Sequence, residues 1–251
     1  MKLIRFKAED EIKYGILEEN KVKEIKGDIF EDYQVVDKSY QLLDLELLAP
    51  CEPSKIICVG LNYKDHAEEM GEQLPEEPVI FMKPATAVSN PNQKVKYPKM
   101  SKQVDYEAEL AIVIKDEIKD LSPAEVEEHI LGYTCFNDIT ARDLQSRDGQ
   151  WIRAKSFDGF APLGPVIATE LAANNLGIQL IHNGEIKQDS NTNQMIFSLK
   201  ELVSFISQVM TLKPGDVIAT GTPPGVGSVE IGDKLEVKIE GIGSLINEIS
   251  E

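Results

Sequence analysis

Residues 104–114 read VDYEAELAIVI. Everything after Glu109 is apolar, as in a strand covered on both faces. Glu107 and Glu109 stand two apart, so on an extended chain both carboxylates project from the same side. Two carboxylates entering a core together require a compensating cation. In a chain with 43 acidic residues, however, a Glu-x-Glu pair is more often a solvated strand edge, and the pair needs support from elsewhere.

Support comes from Asp138, which follows the apolar run GYTCFN where a strand leaves the core at its carboxyl end. Hard oxygen donors without His or Cys select magnesium, manganese or calcium, and three carboxylates with open positions suit a catalytic magnesium-type site. In GLNYKDHAEE, His66 and Glu69 are three apart and face each other if the segment forms a helical turn. A carboxylate beside an imidazole orients it and makes it more basic, as a general base requires, although spacing alone also describes a surface helix. His129 and His182 look structural. Of the cations near these segments, Lys83, Arg142 and Lys155, the last is the one expected to point inward, because Ser-Phe and a largely apolar stretch follow it. The loop ATGTPPGVG, residues 219–227, lacks the Gly-Lys-Ser/Thr ending of a phosphate loop; Thr222 and its neighbouring amides suit a carboxylate instead.

Further apolar strands, KIICVGL (55–61) and PVIFMK (78–83), flank the central run without a regular βαβ alternation. The pattern predicts an α+β, β-rich fold with a dominant mixed sheet folded on itself. Residues 1–50 carry shorter strand-like runs, KLIRFKA, KYGILEE and KVKEI, then YQLLDLELLAP; Pro50 and Pro53 bracket a boundary. We therefore expect a small β-rich N-terminal domain over 1–53 and a catalytic domain over 54–251. Ser122-Pro123 with Glu125, and Ser198 with Glu201, predict two capped helices, the second packing Leu202, Val203, Ile206, Val209 and Met210 on a sheet. Asn183-Gly184 predicts a tight hairpin.

Composition bounds the partners. The chain has 251 residues and a net charge of -17, which excludes a broad nucleic-acid or anionic-membrane surface. An anionic small substrate then needs a local positive device such as a metal. No segment approaches the length of a membrane span, and charges interrupt the N-terminal stretch where a signal peptide needs an apolar run. Cys51, Cys58 and Cys135 form no paired short spacing, consistent with a reducing, cytoplasmic setting.

Taken in order, GLNYKDHAEE, FMKP, DYEAEL, NDITARDLQ, AKSFDGFAPLGP and GDVIATGTPPGVG resemble the fumarylacetoacetate hydrolase family over about residues 55–245. The resemblance implies a mixed β-sandwich roll, a homodimer, and Mg2+ or Mn2+ held by Glu107, Glu109 and Asp138. It further implies that His66 and Glu69 form a dyad on a lid. Lys155 and Thr222 then contact a bound 2-oxo acid, with Arg142 and Gln145 near it and Lys83 counted among the substrate-binding groups. The implied chemistry is hydrolysis of the C–C bond of a small 2,4-dioxo acid of the acylpyruvate or fumarylpyruvate type through a metal-stabilised enolate. The alternatives are decarboxylation of oxaloacetate, isomerisation or decarboxylation of 2-hydroxyhepta-2,4-diene-1,7-dioate, or a silent paralogue that only binds the metal and oxo acid.

Overall fold

The computed structural model describes residues 1–251 and is dominated by one 12-stranded mixed sheet. Its order runs Tyr33–Gln41, Lys21–Gly27, Glu11–Glu18, Lys2–Ala8, Ala161–Ala168, Ile130–Asn137, Ala108–Ile114, Val217–Ala219, Lys55–Gly60 and Val79–Pro84. Val217–Ala219 and Lys55–Gly60 pair in parallel, whereas the other neighbours along this order are antiparallel. A five-stranded sheet and a three-stranded sheet complete the β structure.

The strand Ala108–Ile114 is central because every one of its residues is buried. Ala108, Leu110, Ile112 and Ile114 enter the larger of two apolar cores, while Ala111 and Val113 enter the smaller on the opposite face. The continuous apolar run thus reads as expected for a strand covered on both sides. Lys55–Gly60 divides likewise, Ile57 and Val59 to one core, Ile56 and Cys58 to the other.

The N-terminal strands do not stand apart. Lys2–Ala8 pairs antiparallel with Ala161–Ala168, extending the main sheet. Ile4, Phe6 and Val22 join the larger core, and Leu3, Ile25 and Ile29 the smaller. The division near residue 53 is therefore one of sequence, crossed by sheet hydrogen bonds and two shared cores.

Two local readings require correction. Ser122 and Glu125 do bond each other, but they cap a turn leading into a short 3-10 segment, Val126–His129, rather than an α-helix. The reciprocal capping box at Ser198 and Glu201 does start the helix Leu199–Val209, which buries Leu202, Val203 and Ile206. Val209, the last residue of that helix, is 54% exposed and does not join them on the buried face. Asn183 and Gly184 both take positive φ, 51° and 85°, in the expected hairpin. The three cysteines are free and buried, and no helix is long and apolar enough to cross a membrane.

Candidate active site

Glu107 does not lie within one continuous strand with Glu109. The chain leaves the three-stranded sheet at Tyr106 and enters the main sheet at Ala108, so Glu107 occupies the break. Asn137, at the end of the adjacent strand, closes the gap by accepting from the Glu107 amide through Oδ1 at 3.0 Å, while the Asp138 amide donates to the Glu107 carbonyl at 2.9 Å. Two strand ends laced together in this way bring the three acids to one point. One carboxylate oxygen from each of Glu107, Glu109 and Asp138 lies within 4.8 Å of the others, and all three residues are buried.

At that separation each pair of like charges repels by about 3 kcal/mol, taking an effective dielectric of ~20. The protein's own cations answer only part of this. Lys155 Nζ bridges Glu107 Oε2 at 2.9 Å and Asp138 Oδ2 at 2.7 Å. Burial works against its charge, but Asp138 and Glu107 more than offset burial and keep the ammonium protonated. Arg142 bonds Glu107 through Nη2 and Asp105 through Nε at 2.8 Å. Although burial opposes ionisation of Glu107, Lys155 and Arg142 hold its carboxyl down at about 2.

Glu109 has no such help. Its carboxylate makes no ion pair, and the one hydrogen bond that it accepts comes from the Gly221 amide at 2.9 Å. Burial, and then the charges of Asp138 and Glu107, push its carboxyl well above the usual range. Asp138 Oδ1 lies 2.6 Å from Lys83 Nζ but off the direction a hydrogen bond needs, so this buried oxygen has no aligned donor. An all-oxygen donor set with one unpaired carboxylate and one undirected buried oxygen fits a hard divalent cation such as Mg2+ or Mn2+.

Above the acids opens a cavity of about 580 Å³, with Glu107, Glu109 and Lys155 on its wall. His66 and Glu69 reach it from the short helix Lys64–Met70, and the His66 Nδ1 to Glu69 Oε2 distance is 2.9 Å, as their spacing predicted. Arg142 and Gln145 line it from the helix Arg142–Asp148, and Thr222 from the loop after Val217–Ala219. Gly221 in that loop has φ 95°, and a Cβ there would come within 2.8 Å of Asn62 Cβ, so only glycine lets its amide reach Glu109.

Two expected substrate contacts differ from the sequence reading. Lys83 is fully buried behind Asp138, donating to the carbonyls of Ile139 and Phe160, and does not line the cavity. Thr222 does line it, but its hydroxyl already donates to the Ala108 carbonyl and accepts from Gln188. The loop amides expected to hold a carboxylate hold the protein's own: Gly221 that of Glu109, and Gly225 that of Glu69 at 3.1 Å.

Several contributors escaped the sequence reading. Asn62, wholly buried, ties the root of the His66 helix to Phe197 and Thr220. Trp151 forms an aromatic wall with Phe81, ring centroids 5.1 Å apart. Asp105 and Asn137 adjoin motif acids, but nothing in their spacing separates a support role from a solvated one.

Residues 55–250 match the fumarylacetoacetate hydrolase C-terminal family, and residues 1–50 match the Rv2993c-like N-terminal family. The chain belongs to the fumarylacetoacetate hydrolase family. It is similar to the mitochondrial oxaloacetate tautomerase Fahd2a of Rattus norvegicus, 42% identical over 214 residues, covering 80% of this chain and 68% of that one. Among solved structures, it resembles 5-carboxymethyl-2-hydroxymuconate delta-isomerase from Mycobacterium smegmatis, with 43% identity and a TM-score of 0.94 over 100% of this chain and 99% of that one. It also resembles 2-hydroxyhepta-2,4-diene-1,7-dioate isomerase from Mycobacterium marinum, with 42% identity and a TM-score of 0.93 over 100% and 98%.

Proposed function

We propose that this chain is a divalent-metal-dependent isomerase or tautomerase that interconverts the keto and enol forms of a small 2-oxo diacid. The observation that carries the reading is the convergence, in one cavity, of Glu107, Glu109 and Lys155, with Asp138 buried beside them, and an imidazole already oriented by a carboxylate. The names of its relatives favour this chemistry over the C–C bond hydrolysis expected from the sequence, because isomerisation and tautomerisation need proton transfer but no attacking water.

Glu107, Glu109 and Asp138 would hold the cation. When bound, Mg2+ or Mn2+ supplies electrostatic stabilisation of the enolate charge. The chain's own residues do the rest. Lys155 stays protonated at the cavity wall and presents N–H to the same developing oxyanion. With its Nδ1–H donated to Glu69, His66 keeps a lone pair on Nε2. Nε2 takes a proton from the carbon next to the ketone, the C–H electron pair becomes the enolate, and the proton returns to oxygen or carbon. Gln145 accepts from Arg142 through Oε1, which leaves its amide N–H groups to bind the substrate carboxylate. The homodimer implied by the resemblance belongs to this proposal and is tested by light scattering.

Incubating the metal-loaded protein with the enol of oxaloacetate and, separately, with an acylpyruvate tests the reading, with products followed by NMR. The expected result is rapid ketonisation of the first and little pyruvate from the second. Dominant pyruvate release from the acylpyruvate restores the hydrolase reading, and inertness toward both leaves a silent binding protein.

A further inference from the structure

Glu107 and Glu109 lie far along the chain from the loop bearing Thr222, and one side chain joins the two segments. Gln188 lies in the strand Glu185–Asn191 of the five-stranded sheet, wholly buried and off the cavity wall. Its Oε1 accepts from the Ala108 amide at 2.9 Å; Ala108 is the residue between Glu107 and Glu109. Its Nε2 donates to Thr222 Oγ1 at 2.9 Å and to the Pro223 carbonyl at 2.8 Å. The Thr222 hydroxyl then donates to the Ala108 carbonyl at 2.9 Å, closing a ring of side-chain bonds on both polar groups of Ala108. At this point the chain passes between sheets, and the side-chain ring supplies what a neighbouring strand would otherwise provide.

The same loop reaches the His66 helix. Gly225, whose Cβ would lie 2.2 Å from the Lys187 carbonyl, seats the loop directly on the Gln188 strand while its amide holds Glu69. Gln188 therefore stands where the spacing of the acids, the placement of Thr222 and the anchor of the dyad meet. We propose that Gln188 is a positioning residue for both the metal ligands and the 2-oxo acid, an inference that rests on the metal-dependent reading above. Its carbonyl end sets Glu107 and Glu109, and its amide end sets the loop from Thr222 to Gly225, which walls the cavity and holds Glu69, so that oxo-acid binding depends on it indirectly.

The two ends are separable by substitution. Gln188→Glu keeps an acceptor for Ala108 but, neutral in this buried position, has one O–H where the amide has two N–H, so Thr222 and Pro223 cannot both be satisfied. Gln188→Met keeps the bulk and loses every bond. Calorimetry with Mn2+ alone, and then with oxalate at saturating Mn2+, reads the two ends separately, and thermal melts report the fold.

Loss of an outer partner costs about 10- to 100-fold in metal affinity. On that scale, Gln188→Met is expected to weaken both Mn2+ and oxalate, and Gln188→Glu to weaken oxalate with Mn2+ affinity retained within about threefold. If the Met variant does not fold, the Glu variant decides alone. Affinities unchanged in Gln188→Glu, or Mn2+ and oxalate weakened equally, would overturn the assignment. Failure of the unsubstituted protein to bind Mn2+ would instead remove the metal-dependent reading itself.

Discussion

Glu109 is the residue at which the cost of the site is concentrated, since it is 1% exposed and lacks a counter-ion. Its carboxyl is raised by burial and by Asp138 and Glu107, so in metal-free protein its contribution to stability is present below the ordinary glutamate pKa and lost as pH rises. Glu107 has the opposite sign: burial is outweighed by Lys155 and Arg142, and its contribution is present above the ordinary glutamate pKa and lost as pH falls toward about 2. Thermal melts in a chelator between about pH 5 and 8 should therefore show stability falling with pH, a slope that Glu109→Gln removes and Mn2+ reverses. Identical slopes for wild type and Glu109→Gln would remove the electrostatic account. His66→Ala is expected to lower the rate of ketonisation by about 10²-fold or more, the scale of a lost general base. Lys155→Met should be at least as damaging, because the developing oxyanion loses a donor. Steady-state rates of the two variants at saturating metal check both expectations. The three acids and the His66–Glu69 pair were legible in the sequence because each sits beside an apolar run or at helical spacing. The committed state of the Thr222 hydroxyl was not, since its partners at 108 and 188 are fixed only by tertiary pairing.

At the scale of elements, the segment from Gly60 to Pro78 contrasts with the sheet beneath it. Asn62 and Tyr63 are buried at its root, but the helix Lys64–Met70 buries only Ala67 and ends at Gly71 in a left-handed conformation. Its remaining ties are few: Glu69 to the Gly225 amide and Asp65 to Ser190. Such a segment opens at low cost, and a ligand spanning the cavity should hold it shut. Amide exchange in residues 62–76 is expected to slow when oxalate and Mn2+ are added, whereas exchange in Ala108–Ile114 stays unchanged. Equal protection of 62–76 with and without ligand would show that this helix is a fixed wall. Elements with local signals were readable, such as the Ser198 cap and the Asn183-Gly184 turn. The helix Arg142–Asp148 was not anticipated, because no cap side chain starts it and it buries only Leu144. Nor was the break at Glu107, which depends on Thr140–Ala141 and Gly227–Ser228 arriving on either side of Val104–Tyr106.

For the molecule as a whole, the N-terminal strands and the site are parts of one sheet system, although the sequence changes character near Pro53. Leu3, Ile4, Phe6, Val22, Ile25 and Ile29 are buried in the two cores, and full burial of one large apolar side chain contributes about 1.5–3 kcal/mol. Deleting residues 1–53 is therefore expected to leave a chain that aggregates or melts well below the full protein by circular dichroism; an unchanged melting temperature would show that the segment is dispensable. On the proposed function, the site moves a proton at the carbon beside a ketone with a divalent cation held by Glu107, Glu109 and Asp138. The most direct test of that function follows exchange of the C3 hydrogens of oxaloacetate with D2O by proton NMR, using wild-type protein with Mg2+, wild-type protein in chelator, and Glu109→Gln with Mg2+. Exchange faster than the matched protein-free control is expected only in the first sample. Exchange no faster than that control in all three, or equally accelerated in all three, would contradict the proposed function.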